Sequence, residues 1–369
     1  MKLMKTTEAV GQVLCHDITQ IIPGVKKDAV FRKGHIITKE DIPVLLSVGK
    51  DTIYIWENDE TMMHENEAAE VLYRMSACGT NSNEADVEGH CEAAESGVFG
   101  GTASKMHPSP VKEGKIEVIA DCDGLLKVDS EKLKKVNSFG EMMIATRHGN
   151  TTVKKGDKLA GTRIIPLVIK KDKLEAASHI CDDGPILDIK PFVIRNAAII
   201  TTGNEVYHGR IQDAFTPVIE KKIAEFGAQM MFHEVFDDDD KKITDGCLRA
   251  IEAGAEIVFC TGGMSVDPDD KTPLAIKNTG ARIVSYGSPV LPGAMFLLSY
   301  YDAGDRLVPI CGLPGCAMYN KRTIFDIVLP RLMARDMILA DELAGLGEGG
   351  LCLNCDVCTF PNCGFGKGF

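Results

Sequence analysis

Three features of the chain predict an α/β fold built on a mostly parallel sheet. Short apolar runs recur at 197–200, 257–260 and 307–310, with helical segments between them. Each run leads into a glycine-containing turn: Thr201-Thr202-Gly203-Asn204-Glu205, Thr261-Gly262-Gly263-Met264-Ser265 and Gly312-Leu313-Pro314-Gly315. A fourth turn of the kind stands at Leu291-Pro292-Gly293. In a parallel sheet such positions are the carboxyl ends of strands, where ligands bind. Glycine lets the backbone come close to a ligand, and amides at a following helix start favour an anionic group. Several such turns in register point to a phosphorylated ligand.

The elements follow in order. Over residues 1–60, a small α/β segment, Thr38-Lys39-Glu40-Asp41 opens a short helix through Ile42, Leu45 and Leu46. Gly49 stops it, and Thr52-Ile53-Tyr54-Ile55 reads as a strand. Residues 61–185 begin with a helix from Glu65 to Met75, with Ala68, Val71 and Leu72 on one face. A stretch at 78–114 follows, rich in Gly, Ser, Asn and Glu and without apolar period, which reads as a loop. Short strands at 116–119, 125–128 and 141–144, and the apolar run 164–169, make the rest of this part β-rich. Residues 186–340 carry the clearest α/β alternation. Strand 197–200, helix 216–226, strand 229–235, helix 241–253, strand 256–260, helix 271–278, strand 282–285, strand 307–311 and helix 315–333 succeed one another. Residues 341–369 form a cysteine-rich tail.

Charge narrows the partners. The net charge of −12 argues against nucleic acid and anionic membrane surfaces. No apolar stretch approaches the ~20 residues needed to span a bilayer. No apolar run follows the first five residues, so no signal peptide is expected and the protein reads as cytoplasmic.

The three glycine turns, continued by Val206 and Val266, resemble the molybdopterin-binding domain shared by molybdopterin adenylyltransferases and molybdopterin molybdenumtransferases. The resemblance covers about residues 195–335. It implies a three-layer α/β domain, commonly homo-oligomeric, that binds molybdopterin or its adenylate. More weakly, residues 9–55 resemble a segment of the molybdenumtransferases. Position by position, the resemblance places ligand-binding residues at Thr201, Thr202, Gly203, Asn204, Thr261, Gly262, Gly263, Ser265, Pro292, Gly293, Gly312, Pro314 and Gly315. It adds the carboxylates Asp213, Asp238 and Asp239 to that set. It gives Glu205 and Asp270 catalytic and metal-holding roles, because carboxylates beside a phosphate loop can hold Mg²⁺. Such an ion could assist cleavage of an adenylate phosphoanhydride or position molybdate.

The chain also departs from the family pattern. Asn204 stands where the molybdenumtransferases usually carry Asp, and Asp267 where Gly is usual. Cys316-Ala317 replaces Asn-Pro, and Ala294-Met295 replaces Lys-Pro, which removes a positive charge. The Asp-Asn-Ser-Ala-Met-Asp-Gly-Tyr motif has no match. Two functions therefore stand: a molybdenumtransferase-like enzyme, or a non-catalytic molybdopterin carrier or sensor. Several site residues have plainer readings. The aspartate run 237–240 can cap a helix, Glu205 can complement a helix N-terminus, and His208 and His233 read as surface or hydrogen-bonded residues.

Thirteen cysteines are present, and four crowd the tail as Cys352-x2-Cys355-x2-Cys358-x4-Cys363. Three thiolates at that spacing can converge on one centre, with Cys363 as a fourth ligand. An iron–sulfur cluster and a zinc site both fit. The glycine-rich surroundings offer little core, so a metal is expected to order the segment, with a flexible thiol tail as the alternative.

Overall fold

A computed structural model describes residues 2–22, 26–55, 59–79, 105–265 and 270–368. The chain divides into two compact units. The first holds residues 1–121, 128–147 and 155–188, and the second 122–127, 148–154 and 189–369.

In chain order the first half contains β1 (Lys2–Lys5), β2 (Ile18–Ile22), β3 (Lys26–Phe31), α1 (Asp41–Ser47), β4 (Thr52–Ile55), β5 (Met62–His64) and α2 (Glu65–Ala77). Next come β6 (Met106–Pro108), β7 (Lys115–Ala120), β8 (Gly124–Val128), α3 (Ser130–Ser138), β9 (Met142–Thr146) and β10 (Thr151–Val153). The half closes with β11 (Lys158–Ile164), β12 (Val168–Lys170), α4 (Lys171–Ser178) and β13 (Leu187–Lys190).

Within the first unit, β1 pairs antiparallel with β4, over a cluster that includes Leu14, Ile37, Leu45 and Ile53. Gly49 ends α1 with a left-handed φ of 77°, as its position predicts. An antiparallel sheet in the order β6-β7-β11-β9 carries α2 on one face. Alternation along β7 buries Ile116, Val118 and Ala120, while α2 buries Ala68, Leu72 and Met75. Part of the predicted loop at 78–114 is strand β6, and its residues 80–104 lie outside the described ones. Helices α3 and α4, unmarked by the sequence reading, interrupt the β-rich stretch. Asp129 caps α3 by accepting from the Lys132 amide.

The second unit carries the alternation that predicted the fold. It adds β14 (Asn196–Thr202), α5 (Asn204–Tyr207), α6 (Thr216–Ala224), β15 (Gln229–Phe236), α7 (Asp240–Glu252), β16 (Ile257–Thr261) and α8 (Thr272–Asn278). Then follow β17 (Arg282–Tyr286), β18 (Leu297–Asp302), β19 (Leu307–Leu313), α9 (Ile324–Met333) and α10 (Ala340–Gly345). One six-stranded sheet runs β15-β14-β16-β19-β18-β17. The first four strands are parallel, and β18 and β17 are antiparallel at one edge.

Strand alternation sorts the core into two layers. Ala197, Ile199, Ile257, Phe259, Cys311 and Leu313 meet Ile219 and Ile223 of α6 and Phe325, Val328 and Leu332 of α9. Their neighbours Ala198, Ile200, Val258, Cys260 and Ile310 meet Ile243, Cys247 and Ala250 of α7 and Ala275 and Ile276 of α8. Helices thus cover both faces, so β14 and β16 are apolar almost throughout rather than alternating.

Two predictions for this unit need correction. The helix predicted at 315–333 is a single 3₁₀ turn at Gly315–Ala317 and, after a loop, α9 from Ile324. A capping box sets the later start: the Thr323 side chain accepts from the helix, and Asp326 accepts from the Thr323 amide at 2.8 Å. Strand β18 was not anticipated. Its Leu-Leu-Ser-Tyr-Tyr run pairs with residues 308–312 of β19.

Candidate functional site

Loops leaving the carboxyl ends of β14, β16 and β19 form the site. Register puts Thr201 beside Thr261, and Thr261 beside Leu313. The first two loops pack backbone to backbone. Gly262, at φ 83°, turns against Thr202 so closely that a Cβ there would overlap the Thr202 carbonyl oxygen and stand 2.9 Å from its hydroxyl. Gly263, at φ 53°, lies against Thr272, whose hydroxyl would be 2.7 Å from an added Cβ. Gly312 lets the third loop meet the second, since a Cβ at 312 would stand 2.5 Å from the Met264 side chain. Glycine is required at these places because another chain segment occupies the side-chain space.

Threonine hydroxyls lock the arrangement. Thr202 Oγ1 donates to the Thr261 carbonyl at 3.1 Å and lies 3.0 Å from Thr272 Oγ1, and Thr272 Oγ1 donates to the Gly262 carbonyl at 2.9 Å. Thr201 Oγ1 and Thr216 Oγ1 donate to Asp213 Oδ2 at 2.8 and 2.6 Å, and His233 Nε2 lies 3.1 Å from Thr201 Oγ1. Burial works against the charged form of Asp213. The hydroxyls of Thr216 and Thr201, with the Thr216 and Phe215 amides, outweigh it and hold its carboxyl below the usual range. Buried Thr261 Oγ1 has no hydrogen-bond partner among the described residues.

The carboxylates fall into distinct positions. Glu205 is exposed on the one-turn helix α5, and its carboxylate curls over Gly203. Asp238 accepts from the Asn204 amide at 3.2 Å, tying the aspartate run to the first loop. Asp239 caps α7, accepting from the Lys241 and Lys242 amides at 3.0 and 3.3 Å, so the plainer reading applies to it. Asp240 receives Asn278, and Asp237 pairs with Lys242 at 2.7 Å. Asp270 acts on Tyr286, whose hydroxyl donates to the Met264 carbonyl at 3.3 Å. Burial first, then the Asp270 charge, raises the Tyr286 pKa. Val266 and Asp267, the latter one of the departures from the family pattern, lie outside the described residues.

Pro292 and Gly293 form a separate junction. The Pro292 carbonyl accepts from the Ile324 amide at 3.1 Å, and a Cβ on Gly293 would overlap the Ile324 side chain. This turn therefore braces the start of α9. Gly315 faces open space, with nothing within 4 Å of an added Cβ. Residues that the sequence reading left out include Thr216, Thr272, Met264 and Tyr286. One signal marks the first two: α6 and α8 both open on Thr-Pro.

The tail is ordered differently from its expectation. Among the described residues no group of three or more His, Cys, Asp or Glu side chains is placed to hold a metal ion. Cys355 and Cys358 are exposed, whereas Cys352 and Cys363 pack against the sheet's apolar core. Phe365 is buried in that core, with Phe360 at its border. A bridge between Leu291 and Leu351, with the Cys352 amide donating to the Leu291 carbonyl at 2.8 Å, fastens the segment. Apolar packing and backbone pairing hold the segment. Among the described residues Glu205 and Asp270 likewise join no three-donor group.

Comparison with known proteins gives a family match over part of the chain. Residues 198–334 match the family described as "Probable molybdopterin binding domain", and residues 3–57 match a domain of unknown function. A competence-damage inducible protein of Geobacillus sp. (strain WCH70) is 34% identical over 89 residues, 24% of this chain and 20% of that protein. One from Bacillus cereus (strain B4264) is 32% identical over 130 residues, 35% of this chain and 31% of that protein. The chain thus spans under a third of the length of these relatives. Among solved structures, the tungsten cofactor synthesizing protein MoaB of Pyrococcus furiosus is similar at 19% identity and a TM-score of 0.31, over 39% of this chain and 90% of that one. The molybdopterin biosynthesis protein MoeA of Pyrococcus horikoshii OT3 is similar at 15% identity and a TM-score of 0.28, over 50% of this chain and 42% of that one. The α/β segment at residues 198–334 belongs to the molybdopterin-binding domain family.

Proposed function

We propose that the chain binds molybdopterin or its adenylate at the loops after β14, β16 and β19, as a carrier or sensor in molybdenum cofactor biosynthesis. The observation that supports this reading is the packing of two glycine loops against each other, Gly262 on Thr202, at the carboxyl edge of a parallel sheet. A ligand seated there meets backbone at close range and the hydroxyl of Thr261, a buried donor awaiting a partner. Carriage is favoured over chemistry by Ala294, which stands where the resemblance expects a lysine.

A second reading, molybdate insertion in the manner of a molybdenumtransferase, keeps support from Glu205 and Asp270 at the ends of the first two loops. Incubation of the full chain with adenylated molybdopterin, Mg²⁺ and molybdate separates the two. Saturable binding without AMP release supports the carrier, and binding with release supports the enzyme. Absence of binding refutes both.

A further inference from the structure

A cavity of about 140 Å³ opens in the unit that carries the six-stranded sheet, and none of its lining residues belongs to the glycine loops. It lies where the tail crosses α6 and α9 beside β10. Its wall carries three cations, Lys222, Arg322 and Lys367, against two carboxylates, Asp326 and Glu225. That excess is unusual in a chain of net charge −12.

The carboxylates leave one cation unanswered. Asp326 is saturated: Lys222 and Arg322 both donate to its Oδ1, and the Thr323 amide donates to its Oδ2. Glu225 is exposed to solvent. Lys367 is partly buried and has no carboxylate partner among the described residues. A half-buried ammonium without a counter-charge calls for an anion. The remaining wall joins the polar residues Asn150, Thr151 and Thr152 to an apolar side. Phe226 and Phe360 line it, and the Arg322 guanidinium lies 5.1 Å from the centre of the Phe360 ring. A dry cavity of about 150 Å³ accommodates benzene. The space here suits one ring with one charged substituent.

We propose that this cavity binds a small monoanion with a flat apolar body, of the class of aryl carboxylates. Lys367 receives the carboxylate, and the ring lies between Phe226 and Phe360. The proposal is independent of the pterin reading, because it uses none of the same residues.

Calorimetric titration of the full chain with benzoate, benzyl alcohol and benzylamine tests it. Benzoate is expected to bind one per chain, benzyl alcohol about tenfold or more weaker, and benzylamine not at all, because only the first completes a charge-assisted hydrogen bond. Lys367→Met should weaken benzoate by about tenfold or more, while Lys367→Arg, which keeps the charge, should stay within about threefold. Failure of benzoate to bind, or equal binding of benzoate and benzyl alcohol to the unaltered chain, overturns the proposal. So does undiminished benzoate binding by Lys367→Met. The probe comparison needs no variant, so it decides even if a substitution loosens the tail.

Discussion

Gly262→Ala tests the loop architecture most directly. Two separate terms oppose the substitution. Its φ of 83° is left-handed, and an L-residue there costs about 1–2 kcal/mol. The added Cβ also overlaps the Thr202 carbonyl oxygen, a backbone atom held by β14 and unable to swing aside. Overpacking of a tight interior costs about 1–3 kcal/mol, so the total is about 2–5 kcal/mol. Gly280→Ala isolates the first term, because its φ is 85° and nothing lies within 4 Å of its added Cβ. Urea unfolding of both variants is the assay. Gly262→Ala should exceed Gly280→Ala by about 1–3 kcal/mol. Equal losses would mean that the first and second loops do not touch, and the binding site built on their contact would fail with them.

Other expectations follow from the same structure. Buried Asp336 receives Lys127 at 2.9 Å, Lys190 at 2.6 Å and Arg331 at 2.6 Å. Burial opposes its ionisation, but these partners prevail and bring its pKa from 3.8 to about 2. Because the folded value is the lower one, its stabilisation is present above pH 4 and is lost as pH falls from about 4 through about 2. Its size is on the order of 2 kcal/mol, checked by urea melts across that window, and Asp336→Asn should remove this part of the pH dependence. Thr323→Ala should destabilise the unit by about 1 kcal/mol through loss of the α9 cap, read from the melting temperature. Phe365→Ala should cost about 3–5 kcal/mol by opening the core beneath the tail. A strong chelator, by contrast, should leave hydrogen-exchange protection of the Cys352 amide unchanged, which would fail if a metal ordered the tail.

The parallel core was legible because its physics is local. Ala197–Ile200 and Ile257–Cys260 are buried on both faces, so each reads as an unbroken apolar run ending in glycine. Their adjacency was legible only through the order of the motifs, since periodicity says nothing about which strand neighbours which. The start of α9 was missed because the helix was carried back to Gly315 across polar Asn320, Lys321 and Arg322, past the local signal of Thr323 with Asp326 three residues on. At the site, glycines could be read and their partners could not. Nothing local to Thr272 reveals that its hydroxyl answers the Gly262 carbonyl ten residues earlier. The docking of the cysteine tail was not legible for a related reason. Spacing registers which thiols could converge, while Phe360 and Phe365 pack the segment against the core.

The charge around the loops explains how a ligand of the expected kind could be held. Glu205, Asp213, Asp238 and Asp270 all lie on or beside the glycine turns, and Ala294 offers no positive charge. Two of these carboxylates are turned to internal work. Asp213 is saturated by Thr201, Thr216 and two amides, and Asp238 accepts from Asn204. Satisfied in this way, Asp213 lends most of its field to its own donors. An anionic group then meets mainly backbone dipoles, which need no counter-ion and place their partial charge within hydrogen-bond reach. Such a grip depends on how closely the backbone approaches, more than on how many cations surround it. That is why the missing Cβ of Gly262 weighs more here than any single charged side chain.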